Sequence, residues 1–236
     1  MQYRSEGLAV ANVVLVHGLW VDGSSWRLVA RELLDRGHSV TCVQLPLSSL
    51  TDDVAVVRRA VAQFDGPVVL AGHSYGGAVI SNASHGAEQV SALVYVAAVA
   101  TRPGESAGAV LEGFAPSEGL GAVVADKQGY LTLDRERFAE LFAGDVPPRE
   151  AEVMAVSQGP AAPACLSEAS GEVGWQQLPS WYVLCEQDRT VTPEAQRGIA
   201  ERIGATVVSV PASHSVAVSQ PHTVVDTIEK AVTATV

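Results

Sequence analysis

Gly72-His73-Ser74-Tyr75-Gly76 sets a serine between two glycines. The apolar run Val68 to Ala71 ahead of it reads as a strand, and the stretch from Ala78 reads as a helix. A serine on such a tight strand-to-helix turn has its hydroxyl exposed, and flanking glycines remove side chains that would collide there. The helix that follows directs the positive end of its dipole at developing negative charge. A serine hydroxyl attacks poorly unless a base takes its proton and an acid fixes the tautomer of that base. Asp188 lies three residues past the apolar run Trp181 to Cys185, and His214 lies four past Thr206 to Val210. Ser74, Asp188 and His214 therefore leave the same edge of a parallel sheet and form a candidate triad. Glu186 is the competing acid but sits nearer its strand, as a surface or supporting group. His222, beside Pro221 at a helix start, is the competing base and reads as solvated, while His38 and His85 flank loops.

Attack of Ser74 on a carbonyl makes an oxyanion that needs donors. His17-Gly18 follows the first apolar run, so the backbone N–H groups of Leu19 and Tyr75 are the expected oxyanion hole. Each such donor is worth ~10²-fold to 10³-fold in rate. His17 and His73 are expected to support their turns rather than carry protons. Gly18 and Trp20 are candidate pocket residues, and Trp20 serves equally as core packing.

The elements that must hold these residues alternate along the chain in the manner of a parallel sheet with helices on both faces. Strands are predicted at Val13 to Val16, Val40 to Leu45, Val68 to Ala71, Val90 to Ala98, Trp181 to Cys185 and Thr206 to Val210. Helices are predicted at Trp26 to Arg36, Leu50 to Gln63, from Ala78, at Pro193 to about Ile203, and after Pro221. The run Leu8 to Val16 could pass for a signal-peptide core, but Glu6 beside Arg4 and the direct passage into His17-Gly18 favour a first strand. From Thr101 to about Gly174 the alternation stops. That stretch is Gly- and Pro-rich with helical patches at Leu133 to Phe142 and Arg149 to Val156, and it reads as a mainly helical cap. The division is a core of residues 1–100 and 175–236 with a cap of 101–174.

At 236 residues, 47% hydrophobic and 17% charged, the chain supports one well-buried core. Its net charge of -11 disfavours nucleic acid and anionic membrane as partners, and no apolar run is long enough to span a bilayer. Cys42, Cys165 and Cys185 are odd in number and lack metal-type spacing, which fits a reducing cytoplasm. Cys42 and Cys185 read as buried small hydrophobes. Neither a glycine-rich dinucleotide signature nor a metal-ligand cluster is present in the sequence. The oligomeric state is open between monomer and homodimer.

Val13-Val-Leu-Val-His-Gly18, Trp26, Gly37-His38-Ser39-Val40 and Ala71 to Gly77 resemble the α/β-hydrolase superfamily. The closest resemblance is to its small branch of plant methylesterases, hydroxynitrile lyases and bacterial esterase-like proteins. Asp188-Arg189, Ser213-His214 and Asp145-Val146-Pro147-Pro148 extend it over nearly the whole chain. The resemblance implies an α/β-hydrolase fold, a small ester or lactone as substrate, and no metal or organic cofactor. Lyases of that branch carry a lysine after the catalytic histidine and a threonine in the oxyanion loop. Ser215 and Gly18 stand there here, which favours ester hydrolysis over cyanohydrin cleavage. The alternatives are lyase chemistry at the same site and a low-turnover binding protein on this scaffold; a missing triad member would favour the latter, and none is missing.

Overall fold

The computed structural model describes residues 10–236. Leu8, Ala9, Arg4 and Glu6, on which part of the first-strand reading rests, lie outside the described residues. Strand β1 runs Asn12–Val16 and is followed by helix α1 (Arg27–Asp35), β2 (Ser39–Cys42), α2 (Leu50–Val61), β3 (Val68–His73), α3 (Gly76–Ala83) and β4 (Val90–Val96). After a long excursion come β7 (Ser180–Cys185), α8 (Pro193–Arg202), β8 (Thr206–Val210), α9 (Val216–Ser219) and α10 (Pro221–Thr235).

These strands form one six-stranded sheet in the order β2-β1-β3-β4-β7-β8, with every pairing parallel. The central strands are covered on both faces, which is why they read as continuous apolar runs. Alternate residues feed two cores: Val14, Val16, Leu70, Leu93, Tyr95 and Tyr182 on one side, Val13, Leu15, Val69, Val94, Trp181 and Val183 on the other. Strand order reverses between β1 and β3. Ligands of open α/β sheets bind outside the carboxyl ends of strands at such a switch point, and the segments leaving β1 and β3 there are His17 to Trp20 and Ser74-Tyr75. No helix among the described residues is long and apolar enough to cross a membrane.

β2 is shorter than predicted because its continuation leaves the ladder. The Leu45 N–H donates to His17 Nε2 at 2.9 Å and the Leu47 N–H to Asp53 Oδ1 at 2.9 Å. Cys42 is only half-buried.

The excursion between β4 and β7 carries α4 (Ala107–Glu112), β5 (Val123–Ala125), β6 (Leu131–Leu133), α5 (Phe138–Phe142), α6 (Pro148–Val156) and α7 (Ala164–Ser167). The predicted helix Leu133 to Phe142 is thus half wrong. Its first residue closes β6, which pairs antiparallel with β5, and the helix starts at Phe138. The Asp126 side chain, accepting from the Gln128 and Tyr130 amides, and Gly129 at φ +87° make the turn that joins the two strands.

Candidate active site

Ser74 sits just past β3 at φ +54°, a left-handed conformation that is uncommon for a residue with a side chain. Its backbone is over-determined: the Ser74 amide donates to the Val96 carbonyl at 3.1 Å, and its carbonyl accepts from Gly77 and Val99, each at 3.0 Å. A Cβ on Gly72 would lie 2.5 Å from the Gly76 carbonyl oxygen, and one on Gly76 would lie 2.6 Å from that of Val16. The flanking glycines are therefore demanded by the close approach of β1 and the turn to each other.

The structure brings His214 and Asp188 together. His214 Nδ1–H donates to Asp188 Oδ2 at 2.6 Å, and both side chains are fully buried. Asp188 also accepts from the Thr190 amide at 2.7 Å, the Val191 amide at 3.0 Å and Gln196 Nε2 at 2.9 Å. Gln196 was not foreseen. Its amide further joins the Val191 carbonyl and the Cys185 amide, so it fixes the loop that carries the acid. The other imidazole nitrogen, His214 Nε2, is buried and has no hydrogen-bond partner among the described residues, so the Ser74 hydroxyl does not close a bond to it here. Such bonds are often loose without substrate. The imidazole of His73, next to Ser74 in the chain, lies 4.7 Å from that of His214, ring to ring.

Glu186 pairs with Arg197 at the surface, away from His214. His222 is exposed and pairs with Glu32. His38 is buried, accepts the Ala11 amide and bonds Glu229, within the frame of the fold.

Two further histidines, His17 and His73, hold backbone. His17 Nε2 accepts the Leu45 amide, so its proton is on Nδ1, which donates to the Gly18 carbonyl at 2.8 Å. His73 Nε2–H donates to the His214 carbonyl at 2.8 Å. Burial lowers both pKa values, that of His73 well below the ordinary histidine range, and keeps the rings neutral.

The Leu19 and Tyr75 amides form no hydrogen bond among the described residues. Trp20 is buried at φ +64°, donates from its indole to the Leu131 carbonyl at 3.2 Å, and packs edge-on against Phe142. Phe142 is the second unforeseen residue. Its ring stands 4.6 Å from that of His214, and its carbonyl accepts from the Ser215 hydroxyl at 2.9 Å. Ser215 is thereby committed to the backbone. At Gly18 a Cβ would lie 2.6 Å from Ser74 Cβ, so a threonine has no room at this position on this backbone.

The model of an α/β hydrolase family matches residues 13–227, nearly the whole chain. The chain belongs to the α/β hydrolase family. It is 29% identical to an α/β hydrolase of Aspergillus novofumigatus over 79% of each chain. It is 27% identical to a pyrethroid hydrolase of Sphingobium wenxiniae over 94% of this chain and 87% of the other. It is 25% identical to methylesterase 8 of Arabidopsis thaliana over 82% and 78%. A pyrethroid hydrolase crystal structure superposes with a TM-score of 0.81 at 25% identity, covering 94% of this chain and 96% of that one. Polyneuridine aldehyde esterase superposes with a TM-score of 0.80 at 21% identity over 92% and 97%, a likeness of fold. With relatives named hydrolases and esterases, this α/β hydrolase falls in the expected class of carboxylic ester hydrolases.

Proposed function

We propose that this hydrolase cleaves a small carboxylic ester or lactone with Ser74 as nucleophile, His214 as base and Asp188 as the acid that orients it. The observation that carries the reading is the state of His214: one nitrogen is held by a four-times-bonded carboxylate and the other is buried and unpaired. In the first step the Ser74 Oγ–carbonyl carbon bond forms as His214 Nε2 takes the hydroxyl proton. The carbonyl oxygen becomes an oxyanion facing the Leu19 and Tyr75 amides. Collapse expels the alcohol, which receives the proton from His214, and leaves an acyl-Ser74. A water that gives its proton to His214 then attacks the acyl carbon, and the acid is released as Ser74 recovers its proton.

Residues 101–174 act in this reading as a cap, supported by the packing of Phe142 on His214 and the bond from Trp20 to the Leu131 carbonyl. Relatives named for methyl esters and pyrethroids support an ester of an uncharged acid or alcohol.

An aryl organophosphonate should label Ser74 stoichiometrically, and p-nitrophenyl esters of short acids should turn over in the native protein but not in Ser74→Ala. Peptide mapping that finds the label on another serine would end the assignment. Mandelonitrile and acetone cyanohydrin should release no cyanide at a comparable rate. Gly18 offers no hydroxyl to orient a cyanohydrin, and Ser215 no ammonium to stabilise cyanide.

A further inference from the structure

Asp53, in the first turn of α2, is a fully buried carboxylate with no cation paired to it among the described residues. Burying a charge without a counter-charge is costly, and a position that needed only packing would be served by an apolar side chain. What Asp53 has instead is three donors from three separate segments. The Leu47 amide donates to Oδ1 at 2.9 Å, the Tyr75 hydroxyl to Oδ2 at 2.8 Å, and the Cys165 thiol, from α7, to Oδ2 at 3.8 Å.

Two of these segments lead to the amides that face the oxyanion. Tyr75 is itself one of the donors, and its phenol is anchored on Asp53. Leu47, at φ +54°, closes the turn after β2, and two residues earlier in that turn the Leu45 amide donates to His17. His17 in turn holds the Gly18 carbonyl. A peptide group is planar, with its C=O and N–H pointing opposite ways, so fixing the Gly18 oxygen on one side aims the Leu19 N–H to the other.

We propose that Asp53 is a positioning residue that holds both oxyanion donors, Tyr75 through its hydroxyl and Leu19 through the Leu47 turn and His17. The inference rests on the reading of Ser74 as nucleophile and of these two amides as its oxyanion hole. Asp53 is fully buried and the Tyr75 hydroxyl is committed to it, so both act through the groups they hold.

The test compares the native protein with Asp53→Asn and Tyr75→Phe. Rates on a short-chain p-nitrophenyl ester are expressed per Ser74 site titrated with organophosphonate, so that unfolded protein drops out. Affinity is measured for an aryl trifluoromethyl ketone, which forms an oxyanion on the serine. Losing alignment of one donor should lower kcat about 10-fold to 100-fold, less than outright removal of a donor. KM should stay within about twofold, and trifluoromethyl ketone affinity should weaken by the same factor as kcat. A kcat per site within about twofold of native in Asp53→Asn, or a fall in kcat with ketone affinity unchanged, would overturn the inference. If Asp53→Asn does not fold, Tyr75→Phe, which removes a single oxygen, decides on the same two criteria. Failure of the phosphonate to label Ser74 in the native protein would instead overturn the ester-hydrolase reading, and this inference with it.

Discussion

Gly18 governs how near the oxyanion loop comes to the nucleophile. A methyl group there meets Ser74 Cβ at 2.6 Å and the His73 carbonyl oxygen at 3.0 Å, atoms that cannot swing aside. Gly18→Ala should therefore displace the Leu19 amide and cut kcat by ~10²-fold, the value of one oxyanion donor. Steady-state kinetics on a p-nitrophenyl ester, with circular dichroism to show the fold retained, measures it. At the acid, Asp188→Asn should lower kcat by several orders of magnitude, because the His214 tautomer is lost. Glu186→Gln should change it less than about twofold, since the Glu186 carboxylate pairs with Arg197 at the surface. The reverse pattern in the same assay would move the acid to Glu186. At this scale the placement of Ser74, Asp188 and His214 was legible, because it depends on position after a strand. Gln196 and Asp53 were not legible, because each acquires its role from partners brought by other segments. A glutamine or aspartate in the first turns of a helix reads as a capping or solvent-facing group until the fold buries it.

Between β4 and β7 the elements are short, and this is where sequence patterning was weakest. Three-residue strands such as β5 and β6 give too few alternations to establish a period of two, although Asp126 and Gly129 carried a turn signal between them. Helix α5 is five residues long and owes its place to tertiary bonds. The Thr190 hydroxyl donates to the Leu141 carbonyl, the Ser215 hydroxyl to that of Phe142, and Ser213 to Asp145. The loops bearing Asp188 and His214 thus clamp the C-terminal end of α5, and the clamp seats Phe142 on the His214 ring. Phe142→Ala should raise the kcat/KM of octanoate over acetate p-nitrophenyl esters, by opening the space above His214. It should also destabilise the protein by ~3–5 kcal/mol, as truncation of a buried phenylalanine does. A panel of ester chain lengths and urea unfolding read the two effects separately. Loss of stability with unchanged chain-length preference would assign Phe142 to packing alone.

Across the molecule, the alternation of apolar runs with helical segments was enough to read a parallel sheet, because central strands buried on both faces leave continuous hydrophobic runs. The order β2-β1-β3-β4-β7-β8 was beyond that pattern, since it depends on which crossover packs on which face. The same global burial sets how stability responds to pH. His17 and His73 are kept neutral by burial, with pKa values below those of the unfolded chain. The unfolded state therefore binds protons that the folded state does not, and stability falls as pH drops through about 6.5. Asp53 acts in the opposite sense. Burial pushes its pKa up to about 6, despite the opposing bonds from Tyr75, Leu47 and Cys165. The charge of Asp52, next along α2, also raises the value. Between about 6 and the ordinary carboxylate range near 4, the folded state takes up a proton at Asp53 before the unfolded chain does, so acidification there favours folding. Asp53→Asn has no such group, while every other titration is shared with the native protein and cancels in the comparison. The melting temperature of Asp53→Asn minus that of the native protein should thus become more negative as pH falls from 7 to 4, with most of the change below pH 6. Scanning calorimetry of both proteins over that range tests it: a difference independent of pH would mean that Asp53 titrates in the fold as it does in the unfolded chain.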